Sequence, residues 1–172
     1  MTRIRFSVAY DGTDFCGWQR QNQSQKPSVC QTLQDALEKV FQQKISLFAS
    51  GRTDAGVHAL NQVCHFDVDR SEEKLKGWNL SRAISPRLPK SILVKKAWIA
   101  PSDFHSTLSP DKKTYRYLIL NQQEPSAFLN RYTEWVRHPL NLNFLNECSQ
   151  YLLGEQDFKC FQSVGSSVAH TV

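Results

Sequence analysis

The segment Gly51-Arg52-Thr53-Asp54-Ala55-Gly56-Val57-His58 places a guanidinium, a carboxylate and an imidazole in one short stretch that holds two glycines. Glycines there allow a tight backbone and close approach of a ligand. Arg52 is expected to lie beside Asp54 and favour its charged form. The plainer alternative is a surface turn capped by Asp54, with Arg52 as its ion-pair partner. A second constellation is Asp103-Phe104-His105 followed by Lys112-Lys113-Thr114-Tyr115-Arg116-Tyr117. In an extended strand Tyr115 and Tyr117 fall on one side and Arg116 on the other. Aromatic rings beside cations suit unstacked RNA bases and phosphates. The plainer reading of this stretch is a strand with tyrosines inside and lysines in solvent.

Other chemistries lack residues. His58, His65, His105, His138 and His170 are scattered, with no i,i+4 histidine pair and no Cys-x-x-Cys, so no metal site is expected. There is no Walker loop, no Gly-x-Gly-x-x-Gly and no Gly-x-Ser-x-Gly. Five cysteines, odd in number and widely spaced, argue against a disulfide framework and are expected to be reduced and mostly structural.

The elements that must position these residues follow from periodicity. Ile4, Phe6, Val8 and Tyr10 alternate with Arg3, Arg5 and Ser7, which predicts a half-buried strand over 3–10 ended by Asp11-Gly12. Residues 13–26 read as a polar loop anchored by Phe15 and Trp18. Ser28 and Gln31 have capping-box spacing ahead of Val29, Leu33, Ala36, Leu37, Val40 and Phe41, which predicts an amphipathic helix over 29–42. Ile45, Leu47 and Ala49 suggest a short strand, and residues 61–68 another, with Cys64, Phe66 and Val68 facing one way. Ser71 is expected to cap a helix through Leu75, Trp78 and Ala83, closed by Pro86 and Pro89, and a strand follows near Ile92 to Ile99. This order, with short connections, points to an antiparallel or mixed α+β sandwich. From Phe104 onward a second unit is expected, with a strand at Thr114 to Leu120 and a helix near 142–153 capped by Gly154. One strand and one helix cannot bury a core of their own.

Composition fits a folded domain. The chain has 172 residues, 40% hydrophobic, with 21 Lys+Arg against 16 Asp+Glu and a formal charge of +5. That balance excludes collagen-like and disordered chains. Apolar runs such as Tyr117-Leu118-Ile119-Leu120 are far short of the roughly 20 residues that span a bilayer. The first residues alternate instead of forming a basic then apolar leader, so the cytoplasm is the expected compartment. The excess of basic residues lies entirely in residues 1–103, where a polyanion would be drawn.

At Gly51 to His58 the sequence closely resembles the signature of the TruA-type tRNA pseudouridine synthases. Further blocks agree in order: Tyr10-Asp11-Gly12, then Phe15-Cys16-Gly17-Trp18-Gln19-Arg20-Gln21, Leu33 with Ala36-Leu37, and Gln62-Val63 with His65-Phe66. Asp103-Phe104-His105, Tyr115-Arg116-Tyr117 and Leu152-Leu153-Gly154-Glu155 with Asp157-Phe158 continue the match over essentially the whole chain.

The resemblance implies an α+β fold of two ferredoxin-like halves around a mixed, mainly antiparallel sheet, with an N-terminal domain over 1–103 and the start of a second, incomplete one over 104–172. It implies a cofactor-independent isomerase that converts uridine to pseudouridine in the anticodon stem-loop of tRNA and works as a homodimer. Carried over by position, Asp54 is the nucleophile, Arg52 its neighbour and Tyr115 a substrate contact. Arg20, His58, Phe104, His105 and Arg116 are the implied RNA-binding residues. The sequence departs from the family pattern in three places: Ser106-Thr107 replace Ala-Arg, Cys30 replaces a glutamine, and Thr171-Val172 end where an Arg-x-Ile strand is usual. A truncated chain is therefore expected. An inactive tRNA-binding fragment and, more weakly, a two-carboxylate hydrolase are the competing readings.

Overall fold

The computed structural model describes residues 1–19 and 24–161. The chain divides into two compact units, Met1–Tyr115 and Arg116–Val172.

In the first unit, β1 (Thr2–Tyr10) buries Ile4, Phe6, Val8 and Tyr10 on one face, as the alternation predicts. Helix α1 (Val29–Phe41) supplies Val29, Leu33, Ala36, Leu37 and Phe41 to the same core. The Ser28 hydroxyl accepts the Gln31 backbone N–H at 3.1 Å. Only this half of the capping box forms, because the Gln31 side chain instead donates forward to Asp35 Oδ1 at 2.6 Å. At the other end Gln42 closes the helix in a left-handed conformation, φ 55°.

Strand β2 (Phe48–Ala49) is shorter than the expected one, and Ile45 is buried ahead of it. It pairs with β3 (Ala59–Val68), whose Cys64, Phe66 and Val68 are fully buried. The single helix expected between Ser71 and Ala83 is two short ones, α2 (Glu72–Leu75) and α3 (Leu80–Ile84). Gly77, at φ 75°, turns the chain between them, and the Asn79 side chain starts α3 by accepting the Arg82 N–H at 2.9 Å. This break puts the Trp78 ring edge-on to Phe41, with centroids 5.0 Å apart. Strand β4 (Ile92–Ala100) completes the unit.

Strand order is β2-β3-β1-β4, all neighbours antiparallel. Together with the βαββαβ sequence of elements, counting α2 and α3 as one interrupted helix, this is the split-βαβ arrangement of a ferredoxin-like half. Helices and core lie on one face. The other face displays Arg3, Arg5 and Ser7 of β1 beside Trp98 and Lys96 of β4.

Residues beyond 103 continue the first unit, so the change of unit falls twelve positions after the boundary expected from sequence. The reason is a strap of hydrogen bonds. Arg3 grips Asp67 with two guanidinium donors, Nε and Nη2, at 2.8 and 2.7 Å, and its Nη1 donates to the carbonyls of Ser102 and Phe104. Ser106 reaches His65, and the Thr107 hydroxyl donates to the Ala49 carbonyl at 2.9 Å. Ser106 and Thr107, the departures from the family pattern, thus tie this segment down.

The second unit contains β5 (Ile119–Asn121) and β6 (Glu134–Val136), paired in parallel, and α4 (Leu142–Ser149), which tightens into a 3-10 turn at Gln150–Leu152. Residues 114–118 are not a strand, although their side chains alternate: among the described residues no segment forms a ladder along them, and only the Leu118 carbonyl accepts a backbone N–H, from Glu134 at 2.8 Å. The expected helix is correspondingly shorter, and Gly154 takes φ 80° just beyond it. Among the described residues of this unit none is buried. No helix among the described residues is long and apolar enough to cross a membrane.

Candidate active site

The loop Gly51 to His58 joins β2 to β3, and its backbone is pinned at both ends and in the middle. The Gln62 side chain donates to the Gly51 carbonyl at 2.9 Å. The Trp18 N–H donates to the Thr53 carbonyl at 2.9 Å, and the Tyr10 phenol shares a hydrogen bond with the Thr53 hydroxyl at 2.8 Å. Within the loop, Val57 N–H closes a turn on the Asp54 carbonyl at 3.1 Å. At the far end His58 Nδ1 accepts the Gly12 N–H at 3.1 Å and lies 3.1 Å from Asp11 Oδ1.

The second wall of this arrangement is residues 10–18. A Cβ on Gly12 would run into the Val57 carbonyl, and one on Gly17 would come within 2.6 Å of the Thr53 carbonyl oxygen. Gly17 also sits at φ 105°, a region side chains avoid. Two glycines thus let two loops lie against each other. The wall is in turn tied to the start of α1, since Val29 and Cys30 donate to the carbonyls of Gly17 and Trp18. Asp11 closes its own turn by accepting from the Thr13 N–H and hydroxyl.

From this rigid backbone Arg52 and Asp54 project into solvent, both exposed. Neither makes a side-chain hydrogen bond or an ion pair among the described residues, so the expected Arg52–Asp54 pair does not form. The plainer turn-cap reading is not seen either, because the turn is closed by backbone and not by the carboxylate. An exposed carboxylate with uncommitted lone pairs, on a backbone that does not need it, is available to a reactant.

Tyr10 holds the loop in its protonated form: burial pushes the phenol up to about 12, against a smaller opposing effect of the Thr53 hydrogen bond. Sequence reasoning placed Tyr10 in the core without this role. The available signal was a tyrosine on a buried face, whose hydroxyl must find a partner.

The other sequence-derived residues fall elsewhere. Phe104 and His105 belong to the strap on the sheet's open face, where the His105 ring lies 4.7 Å from that of His65. His65, only 1% exposed, receives the Ser106 N–H at Nδ1 (3.2 Å) and lies 2.8 Å from the Ser106 hydroxyl. Burial, reinforced by His105 and Arg3, lowers its pKa to about 4, so it is a neutral strut. Tyr115, at the end of the first unit, is 79% exposed, and Arg116 opens the second unit. Arg20 lies outside the described residues.

Comparison with known proteins agrees with this geometry. The family model for tRNA pseudouridine synthase matches residues 6–107, from β1 to the strap. The tRNA pseudouridine synthase A of Bdellovibrio bacteriovorus is 61% identical over 171 residues, covering 99% of this chain and 65% of that protein. That of Xanthomonas campestris is 41% identical over 168 residues, covering 98% and 64%. That of Alcanivorax borkumensis is 39% identical over 164 residues, covering 95% and 60%. The chain therefore spans a little under two thirds of the length of these curated relatives. With the matched region holding β2 to β4, most of β1 and the pinned loop, this chain belongs to the tRNA pseudouridine synthase family.

Proposed function

We propose that this chain carries the nucleophile of a cofactor-independent isomerase that converts uridine to pseudouridine in the anticodon stem-loop of tRNA. The observation that carries the reading is Asp54, an exposed carboxylate without an ion pair among the described residues, on a loop held by Tyr10, Trp18, Gln62 and His58. In this reaction the N1–C1′ bond breaks, the uracil turns and a C5–C1′ bond forms. The C5 proton is lost and N1 gains one, so substrate and product are isomers. Asp54 forms a bond to the base or to the ribose that is broken before release, as carboxylates do in covalent glycosyl chemistry.

The target uridine must leave the base stack, at a cost of a few kcal/mol. Tyr115 stacks on the extruded uracil in this reading, and its hydroxyl takes part in moving the C5 proton. Arg52 offers its guanidinium to charge near the reacting ribose. Arg20, Phe104, His105 and Arg116 supply RNA contacts, and His58 contributes by fixing the loop. A cytoplasmic homodimer is the expected working form.

Pseudouridine formation in an unmodified tRNA transcript at low salt tests the reading, with the Asp54→Asn variant alongside. Product from the parent and none from the variant supports it. Free uracil in place of pseudouridine would point to hydrolysis. Bound tRNA without product from either would leave a binding role only.

A further inference from the structure

The open face of the first sheet carries a cationic groove that the candidate active site does not use. It has a volume of about 340 Å³, and Arg5, Ser7, Asn61, Lys95, Lys96 and Trp98 are among the residues that line it. No carboxylate lines it. A register shift builds it: Ser7 pairs with Lys96, yet Val8 pairs with Val94, so Lys95 is an extra residue in β4. Such a bulge lets two successive side chains share one face of a strand. Both lysines consequently line the groove, and Lys95 leans across β1 toward the Leu60 carbonyl at 3.4 Å.

Arg5 is held between aromatic rings, its guanidinium carbon 4.9 Å from the Trp98 centroid and 5.4 Å from that of Phe104. Its Nε is a buried donor with no partner among the described residues. A buried guanidinium N–H without an acceptor is costly, and an incoming anionic oxygen would relieve that cost. Ser7 and Asn61 add neutral hydrogen-bonding groups between the cations. The chemistry is that of a phosphate track: fixed positive charges, donors between them and no competing acid.

We propose that this groove binds the sugar-phosphate backbone of an RNA strand, with phosphates on Arg5, Lys95 and Lys96. The inference rests on the tRNA reading above in taking RNA as the polyanion, but its residues are separate from Asp54. Lys95 and Lys96 are exposed, so replacing both with Gln leaves the core intact. The experiment measures binding of an unmodified tRNA transcript to the full chain across a range of salt, with circular dichroism as a check of folding. The double variant Lys95→Gln, Lys96→Gln should lower the salt slope by about 1 per lysine. The variant Lys74→Gln, Lys76→Gln, an equal charge change in and just after α2, should leave the slope as in the parent. Equal slopes for parent and groove variant, or equal loss in both variants, would overturn the groove alone. Failure of the parent to bind tRNA would overturn the tRNA reading and the groove together.

Discussion

The Tyr10 phenol and the Thr53 hydroxyl lie 2.8 Å apart, and this bond joins the last residue of β1 to the loop that presents Asp54. The rest of the Tyr10 side chain is buried against Trp18, with ring centroids 6.1 Å apart. Removing the hydroxyl by Tyr10→Phe keeps that packing and deletes one hydrogen bond. Urea unfolding should show a loss of about 1 kcal/mol. Thr53→Val should give a similar loss, and the double variant less than the sum of the two, because both lose the same bond.

Gly17 is the tighter constraint. Gly17→Ala places a methyl group against the Thr53 carbonyl and forces a side chain into φ 105°. The loop must shift or the backbone must strain, at a cost of about 1 to 3 kcal/mol. Tyr10→Phe relaxes the loop and Gly17→Ala displaces it. Pseudouridine formation by Gly17→Ala should therefore fall further than its loss of stability accounts for, as read by comparing turnover with the urea midpoint.

Acid should act first through His65. Its ordinary pKa of 6.5 falls to about 4 in the fold, chiefly because burial disfavours the charged form. The unfolded chain therefore takes up the proton first. The stability supplied by neutral His65 is complete above pH 6.5 and lost progressively as pH falls toward 4. Asp67 adds a later loss: the Arg3 hydrogen bonds hold its carboxyl below the ordinary 3.8, so its contribution is present above that value and disappears only at lower pH. Urea midpoints measured between pH 7 and pH 4 should decline, and His65→Gln should flatten that decline.

Asp54→Asn should separate chemistry from folding. The side chain is exposed and makes no hydrogen bond among the described residues, so its unfolding midpoint should match the parent within about 0.5 kcal/mol. Pseudouridine should fall to background. Tyr115→Phe, equally exposed, keeps the ring for stacking. Reduced turnover with unchanged tRNA affinity would mark the hydroxyl as the proton carrier, and unchanged turnover would remove that role.

The first unit was legible wherever burial imposes a period. Ile4 to Tyr10, the α1 stripe and Cys64 to Val68 each face the core as their spacing implies. The misreadings have local causes. Apolar residues at helical spacing ran from Leu75 to Ala83, but Gly77 in a left-handed conformation outweighs that pattern. Thr114 to Tyr117 alternates without a strand to pair with among the described residues, and β6 is too short to announce itself by alternation. The loop motif holds Arg52, Asp54 and His58 in one segment. Their relations are set by contacts distant in sequence, such as Gly12 to His58, which spacing along the chain does not encode.

Among the described residues β4 is the outermost strand on one side of the first sheet, with one row of backbone donors and acceptors facing away from β1. A regular edge of that kind is a template on which further chains can stack, and the route by which sheet proteins aggregate. The insertion at Lys95 breaks its regularity in the middle, and two adjacent like charges repel any identical strand laid alongside in register. Straightening β4 by deleting Lys95 would therefore leave a regular edge open to strand stacking as well as remove a cation.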